Sequence, residues 1–439
     1  MTGRASRDVG AALGAVVGGA QVLAGEAAGA FAIEGRAPRW VAFPGSADEV
    51  SRCLALAAAE GLAVAPTGQG TRRHWGGTPR ALDLVVSLRR LDRILAHEPA
   101  DLTMSVEAGV TLGAVNAHIG PYRQLLPLDP ARAAGSTVGG IVATAATGPY
   151  RARYGTIRDL LLGVTVAQAD GTLVTGGGRV VKNATGYDMP KLQVGALGTL
   201  GVVVSAHLRL HPAPAEERSW LYGFPGPEAL LDAALGILDA PLVVSRLTFV
   251  DRATLGLTGH AATPPAALAV TIGSVPDGAR AQGERVATIC RSGGATALPL
   301  AEPEAWWRRV SDAAWGSPPE PTLVLRIGVR TTDVVKALRA VEAAVDGMSR
   351  RASAELANGV LHVVLAGRGL EEAGALLGRV RASLAPLEGT CVVEHGPAAV
   401  KAALDVWGDV GPALAAMRGL KAELDPQNML NPGRFVGGI

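Results

Sequence analysis

Three stretches in the first half of the chain expose bare backbone: "PTGQGTRRHWGG" (66–77), "AAGSTVGGIVATAATGPYRARYGT" (133–156) and "KNATGYDMPKLQVGALGTLGVV" (182–203). Each alone reads as a turn. The first follows a strand-like run but does not open a helix as GxGxxG, so a Rossmann reading fails its context test. No GxxxxGK[ST] occurs, so there is no P-loop. Taken together, the three fit one extended ligand. Backbone N–H groups freed of side chains cradle a pyrophosphate. A loop of Gly, Ser, Thr and Ala lets a flat ring system lie on main chain. In the third stretch Lys182, Asn183 and Asp188 precede Gly195, Gly198 and Gly201. That polar trio reads equally as a surface loop or as groups that position the ligand.

The 439 residues exceed what one core accommodates, so two or three domains are expected. Lys plus Arg number 41 against 39 Asp plus Glu with no basic block, which argues against a nucleic-acid partner. At 48% hydrophobic residues, disorder is excluded as the general state. Cys53, Cys290 and Cys391 are too few and too scattered for a disulfide framework or an iron–sulfur cluster, and no CxxCH haem signature occurs. They point to a reducing compartment. Residues 9–25 imitate a signal h-region, but Gln21, the glycines and the absence of a processing site favour a place in the fold. No run is long and apolar enough to span a bilayer.

"WVAFPGSADEVSRCLALAAAEGLAVAPTGQG" predicts strand, turn, helix over 47–60, strand and glycine loop, with Ser46 and Glu49 as a capping box and Gly61 as the stop. "ALDLVVSL" and "TMSVEAG" predict strands, and "TLGAVNAHI" a helix. "TIRDLLLGVTVAQADGTLVTGG" predicts a hairpin turning at Asp170-Gly171. A Pro-rich exit at 207–214 marks a boundary. Beyond it, "LVVSRLTFV", "ALAVTIG", "TLVLRIGV" and "VLHVVLAG" alternate with helical segments such as 332–345 and 370–385, the pattern of an antiparallel sheet covered by helices. The expected divisions are 1–214, 215–390 and a C-terminal segment 391–439.

"GSTVGGIVATAATGP", "RYGTIRDLLLGVTVAQADGTLV" and "VVKNATGYDMPKLQVGALGTLGVVVSAHLRLHP" resemble the PCMH-type FAD-binding domain of the vanillyl-alcohol-oxidase / p-cresol methylhydroxylase superfamily. The run "KNATGYDMPKLQVGALGTLG" and the tail "LDPQNMLNPGRF" resemble its branch of glycolate oxidase FAD subunits and D-lactate or D-2-hydroxyacid dehydrogenases. The resemblance implies an α+β fold. A two-subdomain FAD-binding domain is joined to a cap domain with an antiparallel β-sheet covered by helices, and the C-terminal segment returns to the first domain. It places Pro66, Thr67, Gly68, Gln69, Gly70 and Thr71 at the pyrophosphate. Gly135, Ser136, Thr137, Gly139, Gly140, Gly148, Tyr154 and Gly155 go near the diphosphate and isoalloxazine. Gly198, Thr199, Leu200, Gly201, Val202 and Val203 lie along the cofactor. Some relatives attach FAD through a His in the first loop. Here His74 is out of register, so non-covalent FAD is expected.

The resemblance also implies oxidation of a 2-hydroxy acid such as glycolate or D-lactate. That chemistry needs a base for the hydroxyl proton and a cation for the carboxylate. "AELANGVLHVVL" (354–365) and "CVVEHGPAAVKAAL" (391–404) resemble motifs that hold a divalent metal such as Zn²⁺ or Mn²⁺ in the relatives, which maps onto Glu355, His362 and His395, with Glu394 adjacent. Glu355 stands where the relatives carry His, Asn358 and Val360 depart further, and Pro397 interrupts the second motif. Glu355 and His362 are seven apart, an odd offset that puts them on opposite strand faces unless Asn358-Gly359 turns the chain. His395 and Glu394 are the expected catalytic pair, with Arg309 of "WWRRVSDAAW" and Arg326 of "TLVLRIGV" for the carboxylate. His362 and Arg326 read equally as ordinary strand residues. The implied electron acceptor is O₂, a quinone, or a separate iron–sulfur or cytochrome protein, and the implied partner is an iron–sulfur or second flavin subunit. The implied location is the cytoplasm, or the inner membrane surface through a partner. Two alternatives stay open: a non-catalytic FAD-binding companion subunit, and an oxidase acting on another alcohol.

Overall fold

The computed structural model describes residues 8–178, 188–260, 264–313, 322–345, 347–367 and 372–439. Lys182 and Asn183 lie outside them. The helix Ala47–Glu60 starts where its cap predicts. Ser46 Oγ accepts the Glu49 N–H at 3.1 Å, while Glu49 Oε2 reaches back to the Gly45 N–H at 2.7 Å. It stops at Gly61, whose φ of 65° lies in the left-handed region.

Two sheets build the first half. One has four strands in the order Val22–Ala24, Trp40–Ala42, Leu84–Ser87 and Val64–Thr67, with its last three strands parallel. The other has five antiparallel strands in the order Ile94–Glu98, Thr103–Glu107, Val202–Arg209, Leu161–Ala167 and Leu173–Gly177. The last two form the expected hairpin around Asp170-Gly171. A single hydrophobic core joins both sheets. Helix Val9–Val17 buries Leu13 and Val17 in that core, so the signal-like stretch is structural.

The second half carries one eight-stranded antiparallel sheet. Its order is Thr296–Leu298, Glu216–Phe224, Ala266–Ser274, Val244–Asp251, Ser349–Glu355, Val360–Ala366, Thr322–Gly328 and Thr390–His395. Alternation divides its faces. Leu323, Leu325, Leu361, Val363, Cys391 and Val393 enter a core that also holds residues of the helices Pro227–Asp239, Pro276–Ser292, Val334–Ala344 and Ala373–Leu384. The other parity puts Arg326, His362, Ser353, Glu355 and Glu394 on the opposite face, which meets the first domain.

Buried polar contacts fix that meeting. Arg246 Nε lies 3.3 Å from Asp129 Oδ2, and Tyr150 OH donates to Glu217 Oε2 at 2.7 Å. After the edge strand Thr390–His395 the chain returns to the first sheet. Val64 N–H donates to Met429 O, and Asn431 N–H to Val64 O, both at 2.8 Å. The α+β architecture, with two subdomains in the first half and a helix-covered antiparallel sheet in the second, is the one expected. Among the described residues no helix is long and apolar enough to cross a membrane.

Candidate functional site

The glycine stretches converge on a cavity of about 860 Å³ including its open mouth. Pro66, Thr67, Gly68, Gln69, Gly70 and Thr71 line one wall, Thr137, Gly139 and Gly140 a second, and Gly198, Gly201, Val202 and Val203 a third. The walls touch one another closely. A side chain at Gly68 would overlap Thr137 Oγ1, and one at Gly139 would stand 2.7 Å from Ala108 Cβ. Thr137 caps the helix Val138–Thr144 by accepting the Gly140 N–H at 3.2 Å. The tail fastens the third wall. Asn431 Nδ2 donates to Leu197 O at 2.6 Å, and Lys421 Nζ donates to Thr199 O at 2.9 Å. Asn431 Oδ1 is buried with no protein partner, in a residue that lines the cavity.

Other expected cofactor residues lie off this cavity. Thr199 Oγ1 donates to Ala196 O, which spends it on the turn. Ser136 Oγ is taken by Arg72 Nη1 at 2.9 Å. Tyr154 packs against Tyr150 and His211, and Gly155 ends the short helix Arg151–Tyr154. Gly148 lines a small neighbouring cavity with Glu355 and His362. Gly135 and Leu200 are likewise absent from the wall. Sequence reasoning missed Arg72, Arg73, Trp75 and Gln193, which do line it. The two arginines and the tryptophan sit inside the quoted "GTRRHWGG", where cations beside a glycine loop were the available signal.

A second cavity, about 920 Å³ with its mouth, shares Arg72, Trp75 and Thr144 with the first. Its far wall is the polar face of the eight-stranded sheet, with Arg326, His362 and Glu394. Arg326 and His362 are direct cross-strand neighbours. Arg326 Nε lies 2.8 Å from Glu394 Oε1, and His362 Nε2 lies 3.6 Å from Glu394 Oε2. Burial pushes the His362 pKa below the usual histidine value; Glu394 opposes that shift and Arg326 adds to it. The imidazole is therefore neutral at pH 7. Arg151 and Arg158, which the sequence analysis did not single out, complete the lining.

Three expectations depart from this geometry. A β-bulge before His395 sets it opposite Val324, on the same face as Arg326. Its ring packs edge-on against His74 at 4.5 Å between centroids, and it lines neither cavity. His74 itself is pushed down to about 2 by burial, with the charges of its neighbours adding to the effect, and Lys401 Nζ donates to its carbonyl while pairing with Glu34 at 2.7 Å. Arg309 is exposed, because Trp306, Trp307 and Val310 take the buried side of helix Pro303–Ala313. The metal set does not assemble either. The turn Leu356–Asn358, with Gly359 at φ 64°, does bring Glu355 onto the His362 face. His395 packs on His74, however, and a guanidinium holds Glu394. Among the described residues no three His, Cys, Asp or Glu side chains are grouped to hold a metal ion.

Comparison with known proteins matches this geometry. Residues 38–177 match an FAD binding domain, and residues 213–435 match the C-terminal domain of FAD linked oxidases. The chain is 30% identical over 434 residues to a probable mitochondrial D-lactate dehydrogenase of Danio rerio, covering 91% of this chain and 85% of the relative. It is 29% identical to the D-2-hydroxyglutarate dehydrogenase of Xanthomonas citri pv. viticola, over 91% of this chain and 89% of that one. With glycolate oxidase subunit GlcD of Bacillus subtilis the identity is 27%, over 91% and 89%. The fold superposes on 4-ethylphenol oxidase from Gulosibacter chungangensis with a TM-score of 0.73 at 17% identity, covering 97% of this chain and 96% of that one. Two matched domains in family order, meeting at paired cavities walled by glycine backbone and a polar sheet face, place this chain in the family of FAD-linked oxidases, as an FAD-dependent oxidoreductase.

Proposed function

We propose that the chain oxidises a 2-hydroxy acid to the 2-oxo acid. The observation that carries this is the second cavity, which shares a wall with the glycine cavity and sets one guanidinium and one neutral imidazole on the sheet face opposite. Bound FAD supplies the acceptor for the hydride leaving C2. The glycine walls and the cations Arg72 and Arg73 hold it. Arg326 binds the substrate carboxylate through N–H groups not facing Glu394. His362 accepts the hydroxyl proton at Nδ1, the nitrogen away from Glu394. Glu394 orients both. The relatives named for D-lactate, glycolate and D-2-hydroxyglutarate support the substrate class. Electrons leave to a separate acceptor.

Anaerobic addition of hydroxy acids to the purified protein tests this reading, with bleaching of flavin absorbance as the expected result. Because His362 must be neutral and its pKa lies below the ordinary value, the acid limb of kcat/KM for bleaching is expected below pH ~6.5. His362→Gln should remove that limb along with most of the rate. An unchanged profile in the variant would show that another group takes the proton.

FAD is expected to leave with the supernatant on acid precipitation, since His74 is buried against His395 and does not line the glycine cavity. Flavin fluorescence remaining in the pellet would show a covalent link. The companion-subunit reading has one observation in its favour: Arg326 already occupies Glu394, and His395 packs on His74 and lines neither cavity. Protein that carries full FAD yet bleaches with no hydroxy acid unless a second subunit is added would establish it.

A further inference from the structure

The second cavity carries more positive charge than one carboxylate can balance. Among the described residues four arginines line it, Arg72, Arg151, Arg158 and Arg326, against one carboxylate, Glu394. Glu394 is already matched to Arg326 at 2.8 Å. Arg72 faces both cavities and donates to Ser136 Oγ and Ala131 O at 2.9 Å each, so it belongs as much to the flavin side. Glu355 sits on the same sheet face, behind His362. Burial, then the charge of Asp129, pushes its carboxyl up to about 8, so it adds little negative charge at pH 7.

Arg151, whose charge also acts on the Glu355 carboxyl, and Arg158 remain. Both follow the second glycine stretch and lie on the first-domain wall, facing Arg326 and His362 across the cavity. Arg158 gives Nη1 to Lys191 O at 3.2 Å, a neutral carbonyl that leaves its charge unbalanced. Arg158 is exposed and Arg151 half-buried, so both stay open to solvent, and two guanidinium groups on one wall attract an anion that joins them.

We propose that Arg151 and Arg158 form a subsite for a second acidic group, so that the substrate is a 2-hydroxy acid with a carboxylate or phosphate at its far end. This rests on the oxidation reading above. It assigns the ends of the substrate: the 2-hydroxy carboxylate lies at Arg326 and His362, and the distal acid lies at Arg151 and Arg158. Lactate and glycolate would fill only the first half.

The test uses the flavin-loaded full chain. Anaerobic bleaching is measured with both enantiomers of lactate, malate, 2-hydroxyglutarate and 3-phosphoglycerate, in wild type, Arg151→Gln and Arg158→Gln. Flavin content in each sample reports whether the variant is folded. Arg151→Lys is included because it keeps the charge. The expected result is that a diacid exceeds lactate in kcat/KM by about tenfold or more, with that ratio falling toward one in Arg151→Gln and partly returning in Arg151→Lys. Malate and 2-hydroxyglutarate against 3-phosphoglycerate tell carboxylate from phosphate. Lactate matching every diacid, or a preference that survives both glutamine variants, overturns the subsite. Calorimetric titration with the redox-inert acids butyrate and glutarate separates the two readings. If no hydroxy acid bleaches the flavin but glutarate binds more tightly than butyrate, through Arg151, the oxidation reading fails and the subsite stands. Equal binding sinks the subsite whatever the bleaching shows.

Discussion

Gly198→Val is expected to give protein without bound flavin, seen as loss of absorbance near 450 nm, or no soluble protein at all. Gly198 has φ of 68°, and a Cβ there would stand 2.7 Å from Pro66 Cγ. A non-glycine residue in the left-handed region costs ~1–2 kcal/mol. Forced overlap against a fixed proline ring adds ~1–3 kcal/mol. The sum is a large share of the ~5–15 kcal/mol that holds a typical domain folded. Relief by movement parts the first and third walls of the glycine cavity, since Pro66 and Gly198 belong one to each. Gly139→Val should act alike, through Ala108 and the helix Val138–Thr144. Gly29→Ala is the control: nothing lies within 4 Å of that Cβ, and its flavin content should match wild type. Full flavin in both valine variants would show that the walls yield and that these glycines are not needed for close approach.

Arg326→Ala is expected to lower kcat/KM for flavin bleaching by about 10²–10³-fold, more than any other single change on the sheet face. The guanidinium serves twice. It binds the substrate carboxylate, and it neutralises Glu394, whose side chain is only 4% exposed. Removing it leaves a buried carboxylate next to the imidazole, which would hold His362 protonated to higher pH and repel an anionic substrate. The Arg326 side chain is itself 35% exposed, so the stability loss should stay well below that of a fully buried pair. Arg326→Lys should recover part of the rate, because a point charge replaces a planar fork. Arg326→Ala combined with Glu394→Gln should recover stability but not rate. A variant that loses stability yet keeps wild-type turnover would assign Arg326 to the sheet alone.

Local chemistry in the sequence determined much of this protein. Ser46, Glu49 and Gly61 set the ends of a helix through caps that need only neighbouring residues. Asp170-Gly171 set a hairpin, and Asn358-Gly359 permitted the turn that brings Glu355 onto the His362 face, despite an odd offset in sequence. The three glycine stretches announced backbone approach, and they meet because each needs the others' missing side chains. Strand alternation put Glu394 on the face opposite Val393. It did not show the β-bulge before His395, which returns that residue to the Arg326 face, opposite Val324. Which of the two meets the cavity was a tertiary decision: Arg326 and His362 take Glu394 at the domain interface, and His74 takes His395. The gathering of Arg72, Arg151 and Arg158 opposite Arg326 was likewise hidden. These residues come from a glycine loop, two short helices and a strand of another domain, and no local pattern records how two separately built sheets dock.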